Sequence, residues 1–252
     1  METQTLSRRG FGKGTLSSLL TFTLLETLFE CDAFSAEVKP VAVRWLSDVN
    51  QLAQDLKDKK VTQQDWQKKI DELFAQANLP ELLDLVDFDK LTKNIKLKNN
   101  GALSLRFGFQ QIEGAPKALV FGKQIFALKK GRSVVPHGHN NMATSFLILK
   151  GNFHGRHYDR LADESDHFLI KPTIDKKFGP GDHSSVTDYN DNIHWFKAEN
   201  EPAFIFNIHV IGLGENKKRT GRVYLDPNGE KVQGGLIRAP KLNHEKAHKL
   251  YG

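Results

Sequence analysis

A chain of 252 residues is long enough for one generous β-barrel domain or two small domains. Hydrophobic residues at 39% and charged residues at 26% make a globular balance and exclude a disordered chain. The single cysteine, Cys31, excludes an intramolecular disulfide, and much of the +6 net charge sits late, between Lys217 and Lys249, with no nucleic-acid-binding motif beside it.

Ser7 to Lys13 read SRRGFGK. The pair Arg8-Arg9, Phe11 two residues on and Lys13 after it form the pattern of a twin-arginine export signal. An apolar stretch follows from Leu16 to Phe29, interrupted by Glu26. It is shorter than the roughly 20 residues of a membrane-spanning helix, so it predicts a signal and not a stable membrane anchor. Ala33-Phe34-Ser35 offers a small-x-small cleavage site. Residues 1–36 are therefore expected to be a signal peptide, and the mature protein to be cysteine-free and periplasmic or secreted. Its first partner would be the twin-arginine export machinery, a route that carries folded proteins.

Residues 37–98 read as a helical lead-in. Trp45, Leu46, Val49, Leu52 and Leu56 share one helical face, and Val61, Trp66, Ile70 and Phe74 share another. Thr62, with Asp65 three residues on, is a plausible N-cap. Pro80 can open a short third helix through Leu83 and Leu85. These stripes are expected to pack on the outside of a barrel.

From Leu103 the pattern changes to short strand-like runs: Leu103–Phe109, Leu119–Leu128, Phe146–Leu149, Phe168–Ile170 and Phe204–Val210. Turn signals stand at Lys130-Gly131, Gly179-Pro180-Gly181-Asp182 and Pro227-Asn228-Gly229. Many short strands without long helices between them predict a closed all-β barrel or sandwich over 99–214. Residues 215–252 read as a basic C-terminal extension able to form a hairpin.

The informative segment is GRSVVPHGHNNMATSFLILKG, from Gly131 to Gly151. Alternate residues of a strand share a face, so His137 and His139 aim two imidazoles at one point. A later segment, FGPGDHSSVTDYNDNIHWF, brings His194. If its strand lies beside the first, three imidazoles meet. His154, His157, His167, His183 and His209 read as structural or surface histidines, although His154 and Tyr158 share a strand face and one of them could line the cavity.

These two segments resemble the two metal motifs of the cupin superfamily. Gly131, His137, His139 and Gly151 fall at their places in the first motif; Pro180, Gly181, Asp182 and His194 serve the second. Thr144 stands where that family usually has a glutamate ligand. The resemblance implies a cupin barrel (a double-stranded β-helix, or jelly roll) with an N-terminal helical segment, and a metal on His137, His139 and His194. A three-histidine site lacking the glutamate resembles the thiol dioxygenases of the cysteamine dioxygenase and plant cysteine oxidase type. IFALKKGRSVVPHGH, KGNFHGRHYD and NIHWFKA carry that likeness. The chain departs from the pattern at Asn140-Asn141-Met142 after His-x-His, and at Asn207 where an acidic residue is expected. A mature chain without cysteine also cannot form the cysteine–tyrosine crosslink of some thiol dioxygenases.

Three neutral imidazoles leave a divalent ion at its full 2+ charge, which favours an anionic thiolate, enolate or hydroxide ligand. Thr144, a poor ligand while protonated, can hydrogen-bond a water or substrate at the ion instead. Thr144 and Tyr158 are the residues expected to act, with Arg106 or Arg156 offered as partners for a substrate carboxylate. The first functional expectation is an Fe(II) dioxygenase taking dioxygen and a small-molecule substrate, as a monomer or homodimer and without nucleic acid. The alternatives are a Zn- or Mn-dependent hydrolase or lyase, and a non-catalytic metal- or small-molecule-binding cupin.

Overall fold

The computed structural model describes residues 41–110, 112–214 and 221–252; the expected export signal over 1–36 lies outside them. The two amphipathic stripes form helices α1 (Val41–Lys57) and α2 (Gln63–Ala75), which bury Trp45, Leu46, Val49 and Leu52 on the first and Trp66, Ile70 and Phe74 on the second. Thr62 caps α2 as its sequence predicts, its hydroxyl accepting from the Asp65 amide at 3.0 Å. Pro80 sits in the first turn of α3 (Leu79–Leu85), and α4 (Phe88–Thr92) follows. No helix among the described residues is long and apolar enough to cross a membrane.

The strands form two antiparallel sheets. The first runs in the order β1 (Leu103–Leu105), β2 (Gly122–Leu128), β9 (Ala203–Ile211), β4 (Met142–Lys150) and β7 (His183–Val186). The second runs β10 (Val223–Leu225), β3 (Ser133–Gly138), β8 (Ile193–Ala198), β5 (Phe153–Asp163), β6 (His167–Phe178), β12 (Leu236–Leu242) and β11 (Glu230–Val232). From β3 to β9 the chain alternates between the sheets, keeping only the β5–β6 hairpin within one of them. This is the all-β, jelly-roll barrel that the sequence predicts, with helices at its N-terminal end.

Phe126, Phe146, Phe153, Phe178, Phe196 and Ile205 fill the space between the sheets. The outer face of the first sheet is apolar too, because the helices cover it. Trp45 and Phe74 meet Phe206 with ring centroids 6.3 and 6.4 Å away, and Phe88 meets Phe204 at 5.0 Å. A strand buried on both faces needs no polar alternation, which explains the near-continuous apolar run of β9.

Two expectations are corrected. The strand expected over Leu103–Phe109 stops at Leu105; Phe107 and Phe109 instead pack on Phe206 at 6.0 and 6.4 Å. The C-terminal segment is no free extension within its described residues. β10 pairs with β3 and β12, β12 pairs with β6, and β11–β12 is the hairpin. Helix α5 (His244–Tyr251) then returns to the barrel, where Ser133 donates to the Tyr251 carbonyl and Trp195 meets the Tyr251 ring at 5.0 Å. Charge concealed this role: Arg238 and Lys241 are strand residues, ion-paired with Glu230 and Asp163.

Candidate metal centre

Strand β3 delivers His137, and the residue just past its end delivers His139. Strand β8 pairs with β3 so that His194 lies directly opposite His137. The ring of His137 stands 4.7 Å from that of His139 and 4.3 Å from that of His194, centroid to centroid. One nitrogen from each of the three lies within 4.8 Å of the others, a grouping able to hold a metal ion. All three are buried, with relative exposures of 1%, 9% and 1% for His137, His139 and His194.

The glycine between the first two histidines has a packing reason. A Cβ at Gly138 would fall 2.7 Å from Asn192 Oδ1. Asn192 uses its amide to donate to the carbonyls of His139 at 2.7 Å and Thr187 at 3.0 Å, fixing the backbone at the second histidine. His137 Nδ1 stands 2.7 Å from the Val135 carbonyl and donates to it, which leaves Nε2 a bare acceptor. That Nε2 is buried without a protein partner. Burial, then the neighbouring His194, Arg222 and His139, holds His137 well below the ordinary imidazole range. Burial, then His139, His157 and Arg222, does the same to His194. Neutral imidazoles with unclaimed lone pairs are what metal ligation requires, so these residues fit a divalent ion.

The imidazoles open onto a cavity of about 90 Å³. Phe126, Val134, Met142 and Phe146 supply its apolar lining. The first sheet supplies a polar wall, with Thr144 on β4, Gln124 on β2, and Asn207 and His209 on β9. Thr144 Oγ1 is buried without a hydrogen-bond partner. Asn207 Oδ1 lies 3.5 Å from the Gln124 amide nitrogen and 3.3 Å from His209 Nδ1. The His209 ring lies across Gly122, where a Cβ would sit 2.2 Å from its Nε2. Arg222, just before β10, completes the lining.

Of the two residues expected to act, Thr144 lines the cavity and Tyr158 does not. Phe153, Gly155 and His157 are the residues of β5 that face inward, so Tyr158, His154 and Arg156 lie on the other side of that sheet. Tyr158 is packed there with Phe168, Ile170 and Ile193, and burial pushes its phenol up to about 12. Arg156 pairs with Asp175 at 3.1 Å and lies over Trp195, and Arg106 is exposed; neither lines the cavity. The inward imidazole is His157, opposite His194 in the β5–β8 pairing and 6.3 Å from its ring. Burial, then Lys176, lowers it to about 3, and its Nε2 stands 3.4 Å from Ser184 Oγ.

Sequence reasoning placed Asn207 but missed Gln124, His209 and Arg222. A signal existed for His209: it and Asn207 are the polar residues, two apart, in the otherwise apolar run AFIFNIHVI. Arg222 carried no local signal, because only the β10–β3 pairing brings it to the cavity.

No protein-family model matches the chain, and no curated protein matches it. Among solved structures it is similar to a cupin superfamily protein from Desulfitobacterium hafniense, at 19% identity over 46% of this chain and 84% of that one, with a TM-score of 0.31. It is similar to an oxalate oxidase at 11% identity over 53% of this chain and 61% of that one, with a TM-score of 0.37. Procruciferin, an 11S globulin from Brassica napus, matches at 12% identity over 40% of this chain with a TM-score of 0.31, and the match spans only 22% of that longer chain. Likeness at this level carries no argument about chemistry, which rests on the site itself.

Proposed function

We propose that the chain is a metal-dependent cupin holding one divalent ion, Fe(II) in its working form, on His137, His139 and His194. On this reading it acts as a dioxygenase on a small anionic substrate bearing a thiolate or enolate. The observation that carries the proposal is the donor set: three buried imidazoles converge, two of them held neutral by burial, and no aspartate or glutamate lines the cavity among the described residues. An ion so held keeps its 2+ charge and, as iron, supplies the redox chemistry that dioxygen needs. The protein's own part is to keep His137 and His194 deprotonated by burial and to exclude bulk water with Phe126, Phe146 and Met142. Thr144 Oγ1 stands ready to hydrogen-bond the ligand.

Metal identity is the test. Elemental analysis of protein taken from its native compartment should find iron, and dioxygen uptake should depend on an added thiol or enolate. Zinc without uptake would replace the dioxygenase with a hydrolase or lyase, since zinc on three histidines lowers the pKa of its water to about 7. Iron without uptake for any such substrate would leave a binding protein. Export through the twin-arginine route, on the pattern at Arg8-Arg9, belongs to the same proposal.

A further inference from the structure

Another cavity, of about 950 Å³, lies between α1, β2 and the loop that joins β1 to β2, on the helix-covered face of the first sheet and away from the histidines. Both legs of that loop are tied down. Gln110 donates from its backbone to the Leu85 carbonyl at 2.9 Å and from its side chain to the Asp84 carbonyl at 2.8 Å, fixing one leg to α3. Asn50 of α1 fixes the other: its amide donates to the Ala118 carbonyl at 3.2 Å, and its Oδ1 accepts from the Val120 amide at 2.9 Å. Leu46, Phe109, Ile112, Leu119 and Phe121 give the cavity apolar walls. Its volume falls in the range of about 300–1,000 Å³ that small-molecule sites occupy.

One cation interrupts this apolar setting. Lys123, Ile125 and Ala127 alternate along β2 toward the helices, and Lys123 lies opposite Ile208, which is fully buried. The Lys123 ammonium stands 5.3 Å from the ring centroids of both Phe107 and Phe109. It lines the cavity, it is half-buried, and no acid pairs with it among the described residues. Glu113 and Lys117 also line the cavity, but both side chains belong to exposed residues. Burial pulls the Lys123 amine below the ordinary lysine range, with no neighbouring charge to oppose it. Aromatic faces attract an ammonium but do not neutralise it, whereas a bound acid would supply both the counter-charge and hydrogen-bond acceptors.

We propose that this cavity binds an anionic amphiphile of the fatty-acid type, its carboxylate on Lys123 and its chain against Leu46, Ile112, Leu119 and Phe121. The site is independent of the metal centre and of the chemistry proposed there. Calorimetric titration of the full-length protein with octanoate, and with 1-octanol as its neutral counterpart, tests it. Octanoate should bind at least about tenfold tighter than octanol. Lys123→Met keeps the length of the side chain and removes its charge, so it should bring octanoate down to the level of octanol and leave octanol unchanged. Lys123→Gln should do the same, and Lys123→Arg should keep most of the preference. Ile112→Ser should weaken both ligands. His137→Ala should bind octanoate as the parent does, which separates this cavity from the histidine site. Octanoate that binds no tighter than octanol or does not bind, full octanoate affinity in Lys123→Met and Lys123→Gln, or lost affinity in His137→Ala would overturn the proposal.

Discussion

His137 shows how much one residue's surroundings decide. Its Nδ1 is committed to the Val135 carbonyl, so the ring cannot turn its other nitrogen away from the cavity without losing a buried hydrogen bond. Removing a hydrogen-bond partner behind a metal ligand typically costs about 10–100-fold in affinity, and removing the ligand itself should cost more. His137→Ala, His139→Ala and His194→Ala should each lose most bound metal, whereas His167→Ala and His183→Ala should retain it, as His167 turns to Asp166 at 2.7 Å. Metal stoichiometry and circular dichroism on the five variants decide this, and full metal content in His194→Ala would dissolve the triad. Thr144→Glu probes charge at the same site. A carboxylate there should hold or raise metal affinity while weakening anionic ligands, because it lowers the charge of the centre by one. Azide titration of cobalt-loaded protein reads this, and equal or tighter azide binding in the variant contradicts the charge argument. The first two candidate ligands were legible because His-x-His spacing is local and extended backbone turns both rings to one side. Tyr158 was misjudged because alternation pairs it with His154 but does not say which face of β5 meets the cavity; Phe153, Gly155 and His157 claim that face.

Packing between elements carries its own consequences. Helix α2 docks on β7 through Gln67, which donates to the Ser185 carbonyl at 3.0 Å. One turn on, Asp71 is drawn into the same contact. Burial raises its carboxyl above the ordinary range, against the opposing effects of Ser185 and His183, with Asp191 and Lys176 also facing it. The folded state therefore binds its proton more tightly than the unfolded chain does. Ionisation at neutral pH costs stability, which returns as pH falls through the folded-state value toward 3.8. Asp71→Asn should stabilise the protein at neutral pH by roughly 1 kcal/mol, and the gain should shrink near pH ~4. Thermal unfolding at both pH values checks it; a variant no more stable than the parent at neutral pH would contradict it. Gly155 tests the interior of the barrel, since a Cβ there would meet Phe178 at 2.5 Å and Phe196 at 2.9 Å. Gly155→Ala should cost about 1–3 kcal/mol by overpacking, read as a lowered unfolding midpoint. Helices α1 and α2 and most strands were legible in apolar periodicity. β10 and β12 were not, because β10 is only three residues long and β12 carries Arg238 and Lys241, so both look like solvated tail until β3 and β6 pair with them.

At the scale of the whole chain, the candidate ligands come from separate stretches of sequence, His137 and His139 on or just past β3 and His194 on β8, and meet only when the two strands pair. The metal site thus presupposes a folded barrel. The barrel does not presuppose the metal, since three apolar clusters stabilise it on their own account. An ion captured by the folded state adds to this by mass action, about 2.7 kcal/mol when free metal is a hundred times its dissociation constant. If residues 1–36 are the proposed twin-arginine signal, the chain would be loaded in the cytoplasm and exported folded. The pattern SRRGFGK lies outside the described residues, so its test is a transport experiment. A reporter fused behind residues 1–36 should leave the cytoplasm, and Arg8→Lys with Arg9→Lys should trap it there. The full-length chain with the same two changes should accumulate inside the cell, folded and carrying its metal, because neither arginine takes part in the barrel's ligand set. Undiminished export of the double variant would remove the twin-arginine assignment, and a trapped protein without metal would show that loading occurs after export.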